Sequence, residues 1–329
     1  MSNRPAVLVA RAIFPDVVDR LRATFEVDDN PQDTIYTPAE LTQRLKGKTG
    51  ALTTGSERVD AALLDANPQL RVVSNMAVGY NNFDVGACTQ RGVLCTNTPD
   101  VLTETTADFG FALMMAAARR MAESEHYLRR GEWTRWSYDM FTGCDVHGAT
   151  LGILGMGRIG QAIARRGALG FGMRVMYHNR HRLEPSLEAL LKAQYVDKET
   201  LLREVDHLVL VVPYSASSHH AIGASELALM KPTATLTNVA RGGIVDDAAL
   251  AQALRDRRIA AAALDVFEGE PQVHPELLKV ANVVLTPHIA SATVATRRAM
   301  ANLAVDNLIA ALTGAPPPSL INPEVLDQR

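Results

Sequence analysis

The stretch Leu151-Gly152-Ile153-Leu154-Gly155-Met156-Gly157-Arg158-Ile159-Gly160 constrains the chain more than any other. An apolar strand runs straight into Gly-x-Gly-x-x-Gly, and the helical segment Gln161 to Gly167 follows. Gly155 permits a tight turn, Gly157 lets the backbone approach a pyrophosphate, and Gly160 lets the new helix pack on the strand it left. Unpaired N–H groups and the positive dipole end at the start of that helix attract anions. A second strand, Met173 to Tyr177, completes a βαβ unit, the context that makes a dinucleotide the expected ligand. S-adenosylmethionine-dependent methyltransferases use a similar turn, so later parts of the chain have to discriminate.

At 329 residues the chain can hold two domains of ordinary size, and 47% apolar against 21% charged residues reads as globular. A formal net charge of −3 with interspersed signs argues against nucleic acid as the main partner. The longest nearly apolar stretch, Phe109 to Ala118, is shorter than the roughly 18 residues a membrane helix requires. No export signal is read at the N-terminus. Cys88, Cys95 and Cys144 contain no Cys-x-x-Cys pair and read as reduced thiols, so a cytoplasmic location is expected.

Taken in order, Ala6 to Ala10 is a strand with both faces buried, and Val17, Val18, Leu21 and Phe25 follow at helical spacing. Thr37 caps a second helix with Pro38 at its first position. Gly50 to Thr54, Arg71 to Asn75 and Val93 to Asn97 add strands, and Asp60 to Asp65 adds a short helix. This alternation predicts a small doubly wound parallel sheet. The loop Met76 to Asp84 stands at the C-terminal end of one of its strands, where open α/β sheets bind ligands. From Thr103 one long helix is predicted to run to Arg129-Arg130 and stop at Gly131, bridging two domains and packing against a second subunit. Trp133 and Trp136 follow in a loop and suit an interface or a pocket wall. Strands at His207 to Val212, Ala234 to Asn238, Ala260 to Asp265 and Val283 to Leu285 join the two near Leu151 and Met173 in a six-stranded Rossmann sheet. A last apolar helix, Ala290 to Leu312, ends before Gly314-Ala315-Pro316, and the tail returns to the first domain. The fold class is thus α/β with two doubly wound parallel-sheet domains, residues 1–102 with 289–329 forming one and 103–288 the other.

Three polar segments end the late strands: Asn238 to Gly243, Asp265 to Pro271 and Thr286 to Ser291. Together they suit hydride transfer to a 2-keto acid. That reaction needs a cation for the carboxylate and carbonyl, which the planar fork of Arg241 supplies. It also needs a proton donor for the alkoxide, a task for His288, and a neighbouring carboxylate such as Glu270 to favour and orient the imidazolium.

The residues after the second strand of the βαβ unit bear on the cofactor. An NAD enzyme usually carries an acid there for the ribose 2′-hydroxyl, whereas this chain has His178-Asn179-Arg180-His181-Arg182, and its first acid is Glu184. Arg180 can bind a 2′-phosphate, with Asn179 as a neutral donor and Arg182 as a second cation. NADPH is therefore the expected cofactor, with NADH the weaker alternative.

The glycine loop, the helix from Thr103 and the segments Asn238 to Gly243, Leu264 to Pro271 and Thr286 to Thr293 resemble the signatures of the D-isomer-specific 2-hydroxyacid dehydrogenases over nearly the whole chain. The pattern is most similar to the glyoxylate/hydroxypyruvate reductases, including bacterial forms that reduce 2-ketogluconate. The resemblance implies Arg241 as substrate clamp, Glu270 and His288 as acid/base pair, and the backbone at Val78 and Gly79 as a second carboxylate site. It further implies a flavodoxin-like substrate domain made from both chain ends, a Rossmann nucleotide domain, and closure over a cleft in a homodimer. Trp136 matches a tryptophan that in eukaryotic relatives reaches the partner's active site. Cofactor contacts are implied at Thr106, Gly155, Gly157, Arg158, Ile159, Gly160, Asn179, Arg180, Val212, Pro213, Val239, Asp265 and Ala290. Many relatives carry glycine in place of Ala290, one departure of this chain.

No metal site is expected: His219-His220 and His178/His181 have no Cys or carboxylate beside them at ligand spacing. A nucleophile elbow is also lacking. Two functions remain, a catalytic 2-keto acid reductase and a dinucleotide-sensing, corepressor-like binding protein on the same scaffold. The lack of a disordered or basic recruiting segment favours the enzyme.

Overall fold

Branched and small apolar residues with both faces covered form most of the strands, as parallel sheets flanked by helices require. The computed structural model describes residues 4–328. In chain order its first elements are β1 (Ala6–Val9), α1 (Pro15–Arg22), β2 (Glu26–Asp29), α2 (Pro38–Arg44), β3 (Gly50–Thr53), α3 (Ala61–Ala66), β4 (Val72–Asn75), α4 (Val85–Gln90) and β5 (Leu94–Thr96). Next come α5 (Thr103–Ala118), α6 (Met121–Arg129), β6 (Thr150–Leu154), α7 (Arg158–Arg165), β7 (Arg174–His178), α8 (Pro185–Leu191), β8 (Ala193–Tyr195), α9 (Lys198–Glu204) and β9 (His207–Leu210). The last are α10 (Ala224–Leu229), β10 (Thr235–Asn238), α11 (Asp247–Arg255), β11 (Ala261–Leu264), β12 (Val283–Leu285) and α12 (Val294–Thr313).

The chain divides into two compact units, residues up to Leu102 with those from Thr293 onward, and Thr103–Ala292. The first holds a five-stranded parallel sheet in the order β2-β1-β3-β4-β5, the flavodoxin-like order. Alternate residues of its strands face opposite helical layers. Leu8, Ala51 and Val73 pack with Leu41, Leu45, Leu63 and Leu64, while Val7, Val9, Leu52 and Val72 pack with Leu21, Ala301, Ala304, Val305 and Leu308. The tail returns here: Ile321 N–H donates to Cys95 O, and Asn322 bonds both Cys95 N–H and Val93 O.

The second unit holds a seven-stranded parallel sheet in the order β12-β11-β10-β9-β6-β7-β8. Leu208, Leu210, Leu236 and Leu264 meet α9, α10 and α11 on one face, and Ile153, Val175 and Val209 meet α5 and α7 on the other. Its seventh strand, β8, lies outside the six expected from the sequence.

The predicted single helix from Thr103 to Arg129 is in fact two. Cys144 N–H donates to Ala118 O, and a Cβ on Gly143 would lie 2.2 Å from that oxygen, so an incoming loop occupies the carbonyl that a continuing helix would use. Arg120 turns the chain at φ 53°, its guanidinium bonds both carboxylate oxygens of Glu123, and α6 begins afresh. The second crossing between units also differs from the expected residue 289. Ile289 and Ala290 donate N–H bonds to Asp265, which keeps the segment with the second unit as far as Ala292.

Candidate active site

The three glycines of the loop after β6 do different work. Gly155 has φ 103°, and a Cβ on it would lie 2.7 Å from the Val211 carbonyl carbon and the Val212 nitrogen. A Cβ on Gly160 would lie 2.3 Å from Gly155 O, so these two are required by the protein's own packing. A Cβ on Gly157 would meet nothing within 4 Å. No atom of the described residues crowds that position, and the space it leaves open lies at the N-terminus of α7, whose first turn carries no acid and whose cap offers no side chain. A pyrophosphate fits this opening. Arg158 and Ile159 begin α7, Val212 and Pro213 follow β9, and Val239 is buried after β10. Thr106 is buried in the first turn of α5, and one turn on a Cβ on Gly110 would stand 3.3 Å from both Ile163 of α7 and Val239.

At the end of β7, Asn179 Oδ1 accepts the Met156 N–H at 2.7 Å and so ties the strand to the glycine loop. The turn beyond is shaped by Tyr177, whose hydroxyl donates to Glu188 at 2.7 Å and accepts from Leu183 N–H at 2.8 Å. Burial first, then the Glu188 bond, pushes the Tyr177 phenol up to about 12. Arg182 is not available as the expected second cation, because its fork bonds both oxygens of Glu188, at 2.9 and 2.7 Å. Arg180 is exposed and makes no ion pair among the described residues.

The loops after β10, β11 and β12 bring the titratable residues together. Asn238 accepts from Ala240 N–H and donates to Arg241 O, both at 3.0 Å, which fixes the turn carrying Arg241. A Cβ on Gly242 would fall 1.7 Å from Phe267 O, so this turn lies directly on the Glu270 loop. Arg241 is half-buried and its Nη1 donates to Ala240 O at 2.7 Å. Burial presses its guanidinium pKa down and Glu270 opposes that shift. Glu270 accepts from His288 Nδ1 at 2.7 Å through Oε2 and from Phe267 N–H at 2.8 Å through Oε1. Burial would raise its carboxyl, but His288, the Phe267 N–H and Arg241 overcome that and hold it below the ordinary value. With Nδ1 turned to Glu270, His288 keeps Nε2 outward on a half-exposed ring. Its backbone stands at φ 54°, and Asp265 holds it there: Oδ1 accepts the Thr286 hydroxyl and Ile289 N–H, and Oδ2 accepts Ala290 N–H. Both oxygens of the fully buried Asp265 are thus committed to the His288 loop.

The profile described as "D-isomer specific 2-hydroxyacid dehydrogenase, NAD binding domain" matches residues 111–290. The chain belongs to the D-isomer-specific 2-hydroxyacid dehydrogenase family. It is 48% identical to a glyoxylate reductase of Thermococcus gammatolerans over 98% of this chain and 97% of that one. Among solved structures, the TT0316 protein of Thermus thermophilus is 41% identical with a TM-score of 0.88, over 96% of this chain and 99% of that one. An NADPH-dependent glyoxylate/hydroxypyruvate reductase of Sinorhizobium meliloti, in complex with NADP and malonate, is 38% identical with a TM-score of 0.87 over 97% of both chains. The chain is therefore an NAD(P)-dependent oxidoreductase that reduces a 2-keto acid.

The family resemblance also points to residues away from this cluster. In the first unit, Asn75 donates to Gly79 O at 3.0 Å and Asn97 to Val78 O at 2.8 Å. Both carbonyls are thereby engaged, and the N–H groups of Val78 and Gly79 have no acceptor among the described residues. Trp136 is 73% exposed and meets Tyr138 edge-on at 6.5 Å. No helix among the described residues is long and apolar enough to cross a membrane.

No carboxylate lies at ligand spacing beside His219-His220 in the sequence, but the fold brings Glu268 there from the loop after β11. His178 is occupied, with Nδ1 2.9 Å from Val196 O.

Proposed function

We propose that the protein reduces glyoxylate and hydroxypyruvate to D-2-hydroxy acids with NADPH, and extends to 2-ketogluconate. The observation that carries this reading is the His288–Glu270 pair at 2.7 Å on a loop packed against the Arg241 turn. Gly155 to Gly160, with Thr106, Val212, Pro213, Val239 and Ala290, would hold the dinucleotide, which when bound would supply a hydride for the 2-carbon. Arg241 clamps the substrate carboxylate and polarises the carbonyl. His288 delivers the Nε2 proton to the developing alkoxide oxygen, and Glu270 holds the imidazole in the tautomer and orientation this requires. The Val78 and Gly79 N–H groups are assigned to the substrate carboxylate.

NADPH is favoured by Arg180, exposed and without an ion pair among the described residues after β7, and by the lack of an acid at the strand end. The S. meliloti relative is named for the same cofactor. Exposed Met121, Leu128, Trp133, Trp136 and Tyr138 support a homodimer, in which Trp136 reaches the partner's substrate, and the three free cysteines support a cytoplasmic location.

The test is kcat/KM for a panel of 2-keto acids with each cofactor, in wild type and Arg180→Ala. A charge-assisted contact to the 2′-phosphate predicts an NADPH preference of about 10- to 100-fold, reduced in the variant. Equal use of both cofactors by the wild type would remove the assignment of Arg180. Preference for a bulky apolar 2-keto acid would overturn the substrate reading.

A further inference from the structure

Outside the residues assigned to catalysis, one nitrogen of His219, one of His220 and one carboxylate oxygen of Glu268 lie within 4.8 Å of one another. The two imidazoles stack with centroids 3.9 Å apart and planes 22° apart, and His220 Nε2 stands 2.8 Å from Glu268 Oε2. An ion pair accounts for His220 alone. His219 packs on His220 face to face, and these near-parallel planes open when both nitrogens turn to one ion, while the carboxylate stays within reach of both.

The other side of each ring is also furnished. Tyr214 OH lies 3.2 Å from His219 Nδ1, and Asp246 Oδ2 lies 3.9 Å from His220 Nδ1. A metal-binding histidine characteristically has an oxygen hydrogen-bonded behind it, fixing tautomer and ring orientation, and Tyr214 stands in that place for His219, while Asp246 lies beyond hydrogen-bond reach of His220. The backbone beneath is fixed as well. His219 N–H donates to Ser215 O, His220 N–H to Gly243 O, and Glu268 N–H to Asp247 Oδ2. His220 itself is held at φ 48°, a conformation that disfavours a side chain and so needs its surroundings to maintain it.

We propose that His219, His220 and Glu268 bind a first-row divalent transition-metal ion of the zinc type. Two imidazole nitrogens and one carboxylate oxygen with remaining positions open to water match such ions, whereas magnesium and calcium demand mainly oxygen ligands. His219 and Glu268 are exposed, so the site is exchangeable. Glu268 stands two positions before Glu270, and the histidines follow Pro213 in the loop after β9. A bound ion would join these two loops and stiffen the segment leading to the acid/base pair.

The experiment is calorimetric titration of the untagged full chain with Zn²⁺ and, in parallel, Mg²⁺, together with melting temperature with and without Zn²⁺. Wild type is expected to bind one Zn²⁺ per chain and to melt higher with it. His219→Ala, His219→Asn and Glu268→Gln each weaken binding by at least about tenfold and lose the melting shift. The metal-free melts show that each variant is folded, and the two His219 variants guard against loss of fold in one of them. His288→Ala retains the binding, which separates this cluster from the other imidazole–carboxylate pair. Unchanged Zn²⁺ affinity in His219→Ala/Glu268→Gln, loss of binding in His288→Ala alone, or equal binding of Mg²⁺ would overturn the proposal.

Discussion

Asp247 is a buried carboxylate and Glu270 a partly exposed one, and their neighbours drive them in opposite directions. Glu270 gains His288 and a backbone N–H and titrates below its ordinary value, so its stabilising contribution is present above about pH 4.3 and is lost as pH falls through the lowered folded value. Asp247 is pushed up to about 6, by burial first and then by Glu268 and Asp246, despite accepting the Glu268 N–H. Its folded pKa lies above the unfolded one. The stability it lends is therefore present below about pH 4 and lost as pH rises toward 6. Asp247→Asn keeps an acceptor for Glu268 and should stabilise the second unit at pH 7.5 by about 1–3 kcal/mol, with the gain vanishing near pH 4. Melting temperatures of both proteins across that range decide it, and a pH-independent difference would show that charge is not the cause. Arg241 and His288 should fail differently. Arg241→Ala raises KM and lowers kcat, and lysine does not restore the planar fork. His288→Ala lowers kcat by about 10²–10⁴ while cofactor binding is kept. Steady-state kinetics with separate cofactor titration reads both, and wild-type turnover in His288→Ala would remove its role as proton donor.

The elements legible in the sequence are those whose job demands particular residues at fixed spacing. The glycine loop was readable because two of its glycines answer to packing and the third to open space. That division predicts a split phenotype. Gly160→Ala forces a Cβ to 2.3 Å from Gly155 O and should give poorly folded protein, whereas Gly157→Ala should fold normally and bind NADPH at least about tenfold more weakly. Thermal melts with cofactor titration separate the two, and normal NADPH affinity in Gly157→Ala would mean that the opening does not receive the phosphates. Other elements left no such mark. β2 reads Glu-Val-Asp-Asp and β8 is three residues long; both are edge strands, which need no apolar run on each face. The break between α5 and α6 is imposed by a contact from Cys144, and the chain near Ala118 has neither glycine nor proline to announce it. The pairing of Glu270 with His288 followed from the chemistry expected of them. The meeting of Glu268 with His219-His220 depended on how two loops pack, for which sequence spacing carries no signal.

At the scale of the molecule, the two units are built from the chain asymmetrically. The second is continuous, Thr103–Ala292, and both faces of its sheet are covered by helices from within that span. The first is discontinuous. Val7, Val9, Leu52, Val72 and Leu94 bury one face of its sheet largely against Ala301, Ala304, Val305, Leu308 and Ala311 of α12, and the tail bonds β5 through Asn322. A fragment of residues 103–292 should thus melt cooperatively and bind NADPH. A fragment of residues 1–102 keeps Val17, Leu21 and Phe25 over that face but loses everything α12 contributes to it; at roughly 25 cal/mol per Å² of buried apolar surface, such a loss is of the same order as the 5–15 kcal/mol by which domains are stable. That fragment should be unfolded alone and should fold when a peptide of residues 293–329 is added. Circular dichroism melts of each fragment, and of the mixture, provide the measurement. A cooperative melt of residues 1–102 by themselves would show that α12 is dispensable and that the first unit is complete before the chain leaves it.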